Sequence, residues 1–316
     1  MRYLVTGSTG FVGRYLCRTL ADQGHEVVGL DVREPREMTS DLGLVVFCGG
    51  DVRDPRALGP AMKGCDGVFH LAAVVGFANV MGNIRETITT NTAGTDLVLQ
   101  YANMIGCKVL LTSTSACYGR ATNAGQLVNE SMDGILGPTS TASWSYAYAK
   151  AVDEALAFGY YRECGLPVVV TRLFNTVGPG QSGEAGFVLP RFVGAALEHR
   201  RIEVHAPGTQ ERTFVDVRDV AEILVRLMEQ PSAVGELVNV GGVERYSMRG
   251  LAMLVRDTLQ SQSEIEIVEQ PYGNGYDNVT DRRPSLTKLY GLLGKQWEFR
   301  KLENTIRNMA HQEVVA

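Results

Sequence analysis

The chain lacks the features that would place it in several large classes of protein. No apolar run reaches the length of a membrane span, and no block of lysine and arginine offers a footprint for nucleic acid or an anionic bilayer. Lys plus Arg number 30 against 35 Asp plus Glu, a formal net charge of −5. An anionic ligand must therefore find its cations locally. Six cysteines, at 17, 48, 65, 107, 117 and 164, form no C-x-x-C, and the five histidines show no metal-ligand spacing. Reduced, buried thiols and no metal are the expectation. There is no internal repeat and no low-complexity tract. The N-terminus runs straight into a strand pattern, which leaves no room for a signal peptide and points to the cytoplasm. With 316 residues, 45% of them hydrophobic, the chain suits one large α/β domain or two smaller ones.

What is present is concentrated first in the turn Thr6-Gly7-Ser8-Thr9-Gly10-Phe11-Val12-Gly13. The apolar run Tyr3-Leu4-Val5 before it reads as a buried strand. Phe11, Val12, Tyr15, Leu16 and Leu20 after it fall on one face of a helix. Strand, glycine turn and helix N-terminus form a phosphate cradle, in which backbone N–H groups face a diphosphate. The spacing Gly7-x-x-Gly10-x-x-Gly13 departs from G-x-G-x-x-G, and context raises it. A second strand, Glu26 to Leu30, ends in Asp31, 18 residues past Gly13. An acidic residue there accepts both ribose hydroxyls of an adenosine and repels a 2′-phosphate, which selects NAD.

Strands and helices then alternate. Leu44 to Cys48 leads to Asp51-Val52, where Asp51 is either an acceptor for the adenine amino group or a plain loop aspartate. Val68 to Leu71 runs into Ala72-Ala73, small residues that leave space for a cofactor. His70 reads as a packed strand residue rather than a base. A helix over about 85–104 contains Asn91, and a fifth strand, Val109 to Leu111, ends in the four hydroxyls Thr112-Ser113-Thr114-Ser115. A polar loop over 119–143 precedes a helix carrying Tyr146 and Lys150, and Pro167 to Arg172 is the next strand. The pattern predicts a doubly wound parallel sheet of Rossmann type with a smaller, discontinuous α+β lobe. The cofactor domain is expected over 1–174, completed by about 212–240. The lobe takes 175–211 and 241–316.

Tyr146 and Lys150 are four residues apart, so they share a helix face. A tyrosine of ordinary pKa, about 10, is a poor base at neutral pH. A neighbouring ammonium and a cationic nicotinamide ring both favour the phenolate. Lys150 can also hold the nicotinamide ribose, and Thr114 can share the proton of a substrate hydroxyl. With the cradle upstream, Y-x-x-x-K reads as a hydride-transfer site.

The set Thr6-Gly7-x-x-Gly10-x-x-Gly13, Asp31, Asp51-Val52, Leu71-Ala72-Ala73, Asn91, Thr114 and Tyr146-x-x-x-Lys150 resembles the extended short-chain dehydrogenase/reductases. Within them it resembles the NAD-dependent nucleotide-sugar epimerase/dehydratase family, from residue 2 to about 300. The resemblance implies a tightly held NAD, reduced and reoxidised within each turnover. It places the cofactor against Gly7, Gly10, Phe11, Val12 and Asp31 in the first half of the sheet. Further contacts are implied at Asp51, Val52, Leu71, Ala72, Ala73, Asn91 and Ser113, with Tyr146 and Lys150 at the nicotinamide end. Arg172-Leu173-Phe174-Asn175 resembles the family's R-x-F-N, whose asparagine binds the sugar nucleotide. The stretch Gln210 to Val220 resembles one whose arginine, here Arg212, meets the diphosphate or ribose. Arg282-Arg283-Pro284 resembles a later element closing on the same diphosphate, with either arginine turned inward. Guanidinium groups suit phosphate because they donate twice.

The reaction rests on departures. The family's 4,6-dehydratases follow the equivalent of Thr114 with Asp-Glu, and its decarboxylases carry S-T-S-E-V-Y-G. Here the sequence is Ser113-Thr114-Ser115-Ala116-Cys117-Tyr118-Gly119, with neither carboxylate. A 4-epimerase needs neither, so the sequence favours an isomerase acting on a UDP-sugar. Tyr146 would take the 4-hydroxyl proton as C4 is oxidised, the 4-keto sugar would rotate, and reduction would follow on the other face. The alternatives are a nucleotide-sugar decarboxylase or 4,6-dehydratase and, more distantly, a non-catalytic NAD-sensing protein. The loop 76–90 borders the sugar without naming it, and UDP, dTDP and GDP stay open. The resemblance also suggests a homodimer through helices near 92–105 and 147–163. The face Ala151, Ala155, Phe158, Tyr160 and Tyr161 suits that, and suits packing within one chain equally.

Overall fold

The computed structural model describes residues 1–34, 44–121, 126–183, 186–269 and 281–315. Parts of the loop after Asp31 and of the loop 119–143 thus lie outside the described residues. The first half runs β1 (Arg2–Thr6), α1 (Phe11–Asp22), β2 (Glu26–Asp31), β3 (Val45–Gly49), α2 (Pro55–Met62), β4 (Gly67–His70), α3 (Phe77–Gly82), α4 (Ile84–Ile105), β5 (Lys108–Thr114), α5 (Ser145–Cys164) and β6 (Val168–Leu173). The second half continues β7 (Thr176–Val177), α6 (Val188–Leu197), β8 (Ile202–His205), β9 (Glu211–Thr213), β10 (Val215–Asp216), α7 (Val217–Glu229) and β11 (Leu237–Val240). It closes with β12 (Arg245–Ser247), α8 (Met248–Thr258), β13 (Ile265–Val268), β14 (Asp281–Arg282), α9 (Thr287–Leu293) and α10 (Leu302–Val315).

Seven parallel strands form the main sheet in the order β11-β6-β5-β4-β1-β2-β3. The strand order reverses between β1 and β4, and a crevice opens there beyond the carboxyl ends of the strands. One face of the sheet is covered by α1, α7 and α9, through Leu16, Leu20, Leu224, Leu227 and Leu289. The other is covered by α2, α4 and α5, through Leu58, Met62, Leu99 and Ala157. A separate core of Leu189, Phe192, Ile202, Leu251 and Ile306 joins α6, β8, α8 and α10 into the lobe. Among the described residues no helix is long and apolar enough to cross a membrane.

The sequence boundaries shift in four places. Strand β5 runs on through Thr114, because Thr112, Ser113 and Thr114 pair with Thr171, Arg172 and Leu173 of β6. The segment 76–90 is mostly helical, as α3 and the start of α4. Strand β9 pairs with β12 and β14 rather than with the main sheet. Helix α9 returns to the main sheet, where Leu286 and Leu289 cover α7 and β11. Four thiols are buried, but Cys48 is half-buried and Cys164, the last residue of α5, is exposed.

Helix α5 positions the chemistry, and its composition explains why its apolar pattern is faint. Its buried face carries Lys150, Asp153 and Glu154 among alanines. Gly165, in the left-handed conformation at φ 72°, ends the helix.

Candidate active site

The turn after β1 is built around two glycines. Gly7 sits at φ 70°, and a Cβ there would lie 2.8 Å from the Ala72 backbone nitrogen. At Gly13 a Cβ would lie 2.1 Å from the Gly7 carbonyl oxygen, so only glycine lets α1 seat against the turn. Asp31 ends β2 almost buried, its carboxylate accepting from the Thr9 and Arg33 N–H groups at 3.1 Å each. Both belong to a cleft of about 1050 Å³ that runs from the sheet into the lobe.

Most of the residues singled out by the sequence line this cleft: Gly7, Gly10, Phe11, Val12, Asp31, Asp51, Val52, Leu71, Ala72, Ala73, Ser113, Thr114, Tyr146, Asn175, Arg212 and Arg282. Three others do not, and each has a different task. Asn91 is fully buried and its side-chain oxygen accepts from the Val74 N–H at 2.8 Å, so it fixes the loop after β4. Lys150 is 2% exposed, and its Nζ lies 2.8 Å from Asp153 Oδ2 beneath the cleft floor. Arg283 accepts from the Val128 N–H through its backbone carbonyl and does not line the cleft, whereas Arg282 does.

Two lining residues are differently engaged from what their positions suggested. Both carboxylate oxygens of Asp51 are held by Arg53, whose Nε lies 3.0 and 3.1 Å away, and that arginine also meets Glu86 at 2.9 Å. The Arg53 hydrogen bond holds the Asp51 carboxyl below its ordinary range. The Ser113 hydroxyl donates to Glu154 Oε1 at 2.5 Å, away from the cofactor cleft. His70 is a packed residue, as its strand setting implied. It is 1% exposed and lies between Thr6 Oγ1 at 2.7 Å and Thr95 Oγ1 at 3.1 Å.

Tyr146 and Thr114 meet at the carboxyl end of β5. Burial pushes the Tyr146 phenol well above its ordinary value; the thiol of Cys117 and the carboxylate of Asp153 push the same way, and the Thr114 hydroxyl opposes them. Alone, the site holds a protonated tyrosine, so a cation beside it is required before it can act as a base. Asn175, next to the cleft, donates to the Thr213 carbonyl at 2.8 Å and ties β6 to the lobe.

In the lobe, the register of β14 on β9 sets Arg282 beside Arg212. Two guanidinium groups on neighbouring strands repel each other, and an anion between them removes the penalty. Sequence reasoning missed Arg14, which donates to the Gly180 carbonyl at 2.5 Å and so closes the turn 178–180 over the cleft. It also missed Arg191, His205 and Gln210, which line the lobe end. A lobe without sheet periodicity gave no signal for them.

The comparisons with known proteins agree with this layout. A model of the NAD dependent epimerase/dehydratase family matches residues 3–241. A UDP-N-acetyl-alpha-D-glucosaminuronate decarboxylase from Bacillus cytotoxicus is 34% identical over 297 residues, covering 91% of this chain and 90% of that protein. UDP-glucuronic acid decarboxylase 6 from Arabidopsis thaliana is 33% identical over 304 residues, 94% of this chain and 84% of its own. The structure of UDP-glucuronic acid 4-epimerase from Bacillus cereus, solved with UDP-glucuronic acid and NAD, shares the fold with a TM-score of 0.85 at 23% identity, over 100% of both chains. The chain belongs to the NAD dependent epimerase/dehydratase family, and NAD is its cofactor. The residues fit that group: the glycine cradle has no room for a side chain, and Asp31 presents an acceptor where an adenosine ribose needs one.

Proposed function

We propose that the protein oxidises C4 of a UDP-linked hexuronate and decarboxylates the 4-keto sugar so formed. The observation that carries this reading is the likeness, at about a third identity and along nearly the whole chain, to two decarboxylases of UDP-hexuronates. It favours the decarboxylase, named above as an alternative, over the epimerase preferred from Ser115 and Ala116. A carboxylate β to a ketone leaves as carbon dioxide with its bonding electrons passing to the carbonyl oxygen. That step needs stabilisation of the enolate rather than a carboxylate base, so Ala116 does not forbid it.

Each residue then has a task. Gly7, Gly10 and the α1 N-terminus hold the cofactor diphosphate, Asp31 its adenosine ribose, and Arg212 with Arg282 the substrate diphosphate. Bound NAD supplies a hydride acceptor at C4 and returns the hydride later in the same turnover, which requires that it stay tightly bound. Tyr146 takes the proton from the 4-hydroxyl, with Thr114 sharing that hydrogen bond and Lys150 favouring the phenolate. The C5–C6 bond breaks, carbon dioxide leaves, and the electron pair rests on O4, where Tyr146 and Thr114 can donate. C5 takes a proton from water, and reduction at C4 with proton return from Tyr146 completes the cycle.

One observation favours a second reading, the 4-epimerase. The described carboxylates lining the cleft are Asp31, Glu34, Asp51, Glu86 and Glu203. All belong to the β2–β3 side, the start of α4 or the lobe, and none follows Thr114. An enzyme that rotates its 4-keto sugar needs none there. NMR of the protein incubated with UDP-glucuronate and with UDP-N-acetylglucosaminuronate separates the two. The proposal expects a pentose product without C6; a 4-epimer that keeps C6 would replace it with the second reading.

A homodimer through α4 and α5 is part of the same proposal. Ile88 and Met104 of α4 and Val152 and Tyr161 of α5 are exposed on these packed helices. Exposed apolar side chains on two packed helices are compatible with a partner helix pair.

A further inference from the structure

Asp153 has no part in the scheme above, yet it is a carboxylate with 0% exposure three residues beyond the lysine of the site. Burying a carboxylate is costly unless it is paired. Its Oδ2 lies 2.8 Å from Lys150 Nζ. Its Oδ1 is buried and makes no hydrogen bond to the described residues, although the Thr95 hydroxyl on α4 faces the group. Burial favours the neutral acid here, and Lys150 is the first of the groups that oppose it.

The neighbouring hydrogen bonds have only one consistent direction. Thr6 Oγ1 accepts from the Leu71 and Ala72 N–H groups, each at 3.2 Å, so its own hydrogen goes to His70 Nδ1 at 2.7 Å. Burial drives the His70 pKa down to about 3, so the ring is neutral and donates from Nε2 to Thr95 Oγ1 at 3.1 Å. The Thr95 hydrogen is then left to point toward Asp153. One polar chain thus runs from Thr6, at the start of the turn that cradles the cofactor, toward the Asp153–Lys150 pair.

We propose that Asp153 is the counter-ion of Lys150, a positioning residue that holds the lysine under Tyr146 and moderates the charge the phenol feels. This rests on the reading of Tyr146 and Lys150 as the oxidation pair. The groups around Asp153 are Lys150 and Glu154 on its own helix and Thr95 on α4, which in turn meets His70 of β4. Those around Tyr146 are Thr114 of β5, Cys117 in the turn after it, and Asp153; Lys150 lies one turn further along the same helix, on the face Tyr146 shares by spacing. Removing one negative charge from this set leaves the ammonium uncompensated, and the phenol then ionises more readily.

The test is an alkaline titration of tyrosinate absorbance in the full-length, NAD-bound protein. Subtracting the Tyr146→Phe trace isolates the one residue among 12 tyrosines. Tyr146 in Asp153→Asn should titrate about one pH unit below the unaltered protein. Equal titration in the two overturns the proposal. A purely packing role for Asp153 would not move this readout. Thermal melting of Lys150→Met with and without Asp153→Asn gives a second test that does not depend on the stability of Asp153→Asn alone. A paired carboxylate predicts that the double variant melts above Lys150→Met alone; a double variant that melts lower, with the losses adding, contradicts it. Neither experiment uses a sugar substrate. Absence of turnover would remove the oxidation reading without touching this result, and the reverse also holds.

Discussion

Glu154 and Arg172 form a two-point ion pair beneath the end of β5, with Arg172 Nε at 2.8 Å and Nη2 at 2.6 Å from the two carboxylate oxygens. The same carboxylate accepts from Ser113, and the guanidinium lies 4.4 Å over the Tyr118 ring. Tyr118 in turn donates to Asn239 Oδ1 at 2.7 Å. The strand that presents Thr114 is therefore anchored through α5 and β6 to β11. Glu154→Gln leaves Arg172, only 11% exposed at its side chain, without its charge partner. We expect a loss of about 3 kcal/mol in urea unfolding. A double replacement, Glu154→Leu with Arg172→Met, should recover most of it.

The cradle makes a prediction about cofactor retention. Gly7→Ala places a methyl group 2.8 Å from the Ala72 nitrogen, at a backbone angle that disfavours alanine. The purified variant should carry markedly less NAD than the unaltered protein, measured by extraction and chromatography, while its far-ultraviolet circular dichroism stays unchanged. Equal NAD content would count against the cradle.

The two arginines of the lobe sheet predict a split between ligands. Arg212→Ala and Arg282→Ala each remove a charge-assisted phosphate contact, and UDP binding by calorimetry should weaken by about 1.5–3 kcal/mol for each. NAD content should not change. If NAD falls with UDP affinity, the arginines serve the cofactor instead.

His70 predicts the acid limb of stability. Its folded pKa is depressed from 6.5 to about 3, so the folded protein binds fewer protons than the unfolded chain in that interval. The contribution is complete above about pH 6.5 and is lost as pH falls toward 3, at up to about 1.4 kcal/mol per unit. His70→Asn, which can still meet Thr6 and Thr95, should flatten the change in unfolding free energy between pH 7 and pH 5.

The legible part of this protein was the part governed by backbone and period. Gly7, Gly10 and Gly13 mark a turn only glycine can make, Asp31 ends a strand of regular pattern, and Tyr146 and Lys150 share a helix face by spacing alone. Side-chain partnerships were not legible. Nothing in the local sequence says that Asp51 is held by Arg53, that Ser113 turns to Glu154, or that Lys150 points at Asp153 rather than into the cleft. Charges on the buried face of α5 also weaken its apolar pattern, so Asp153 and Glu154 drew no attention in the sequence. The choice between Arg282 and Arg283 needed the pairing of β14 with β9. The missing carboxylate at Ala116 was legible as a residue, but it does not decide the reaction, since a β-keto acid loses carbon dioxide without it.

The central claim is that C4 of the sugar is oxidised and reduced again by one retained cofactor, with Tyr146 moving the proton. It is tested most directly with UDP-hexuronates carrying deuterium at C4, using both the glucuronate and the N-acetylglucosaminuronate and adding no free NAD. The product should keep the deuterium at C4, and Tyr146→Phe should lower kcat by about a hundredfold or more. Loss of the label to water, or unchanged turnover in Tyr146→Phe, would contradict the account.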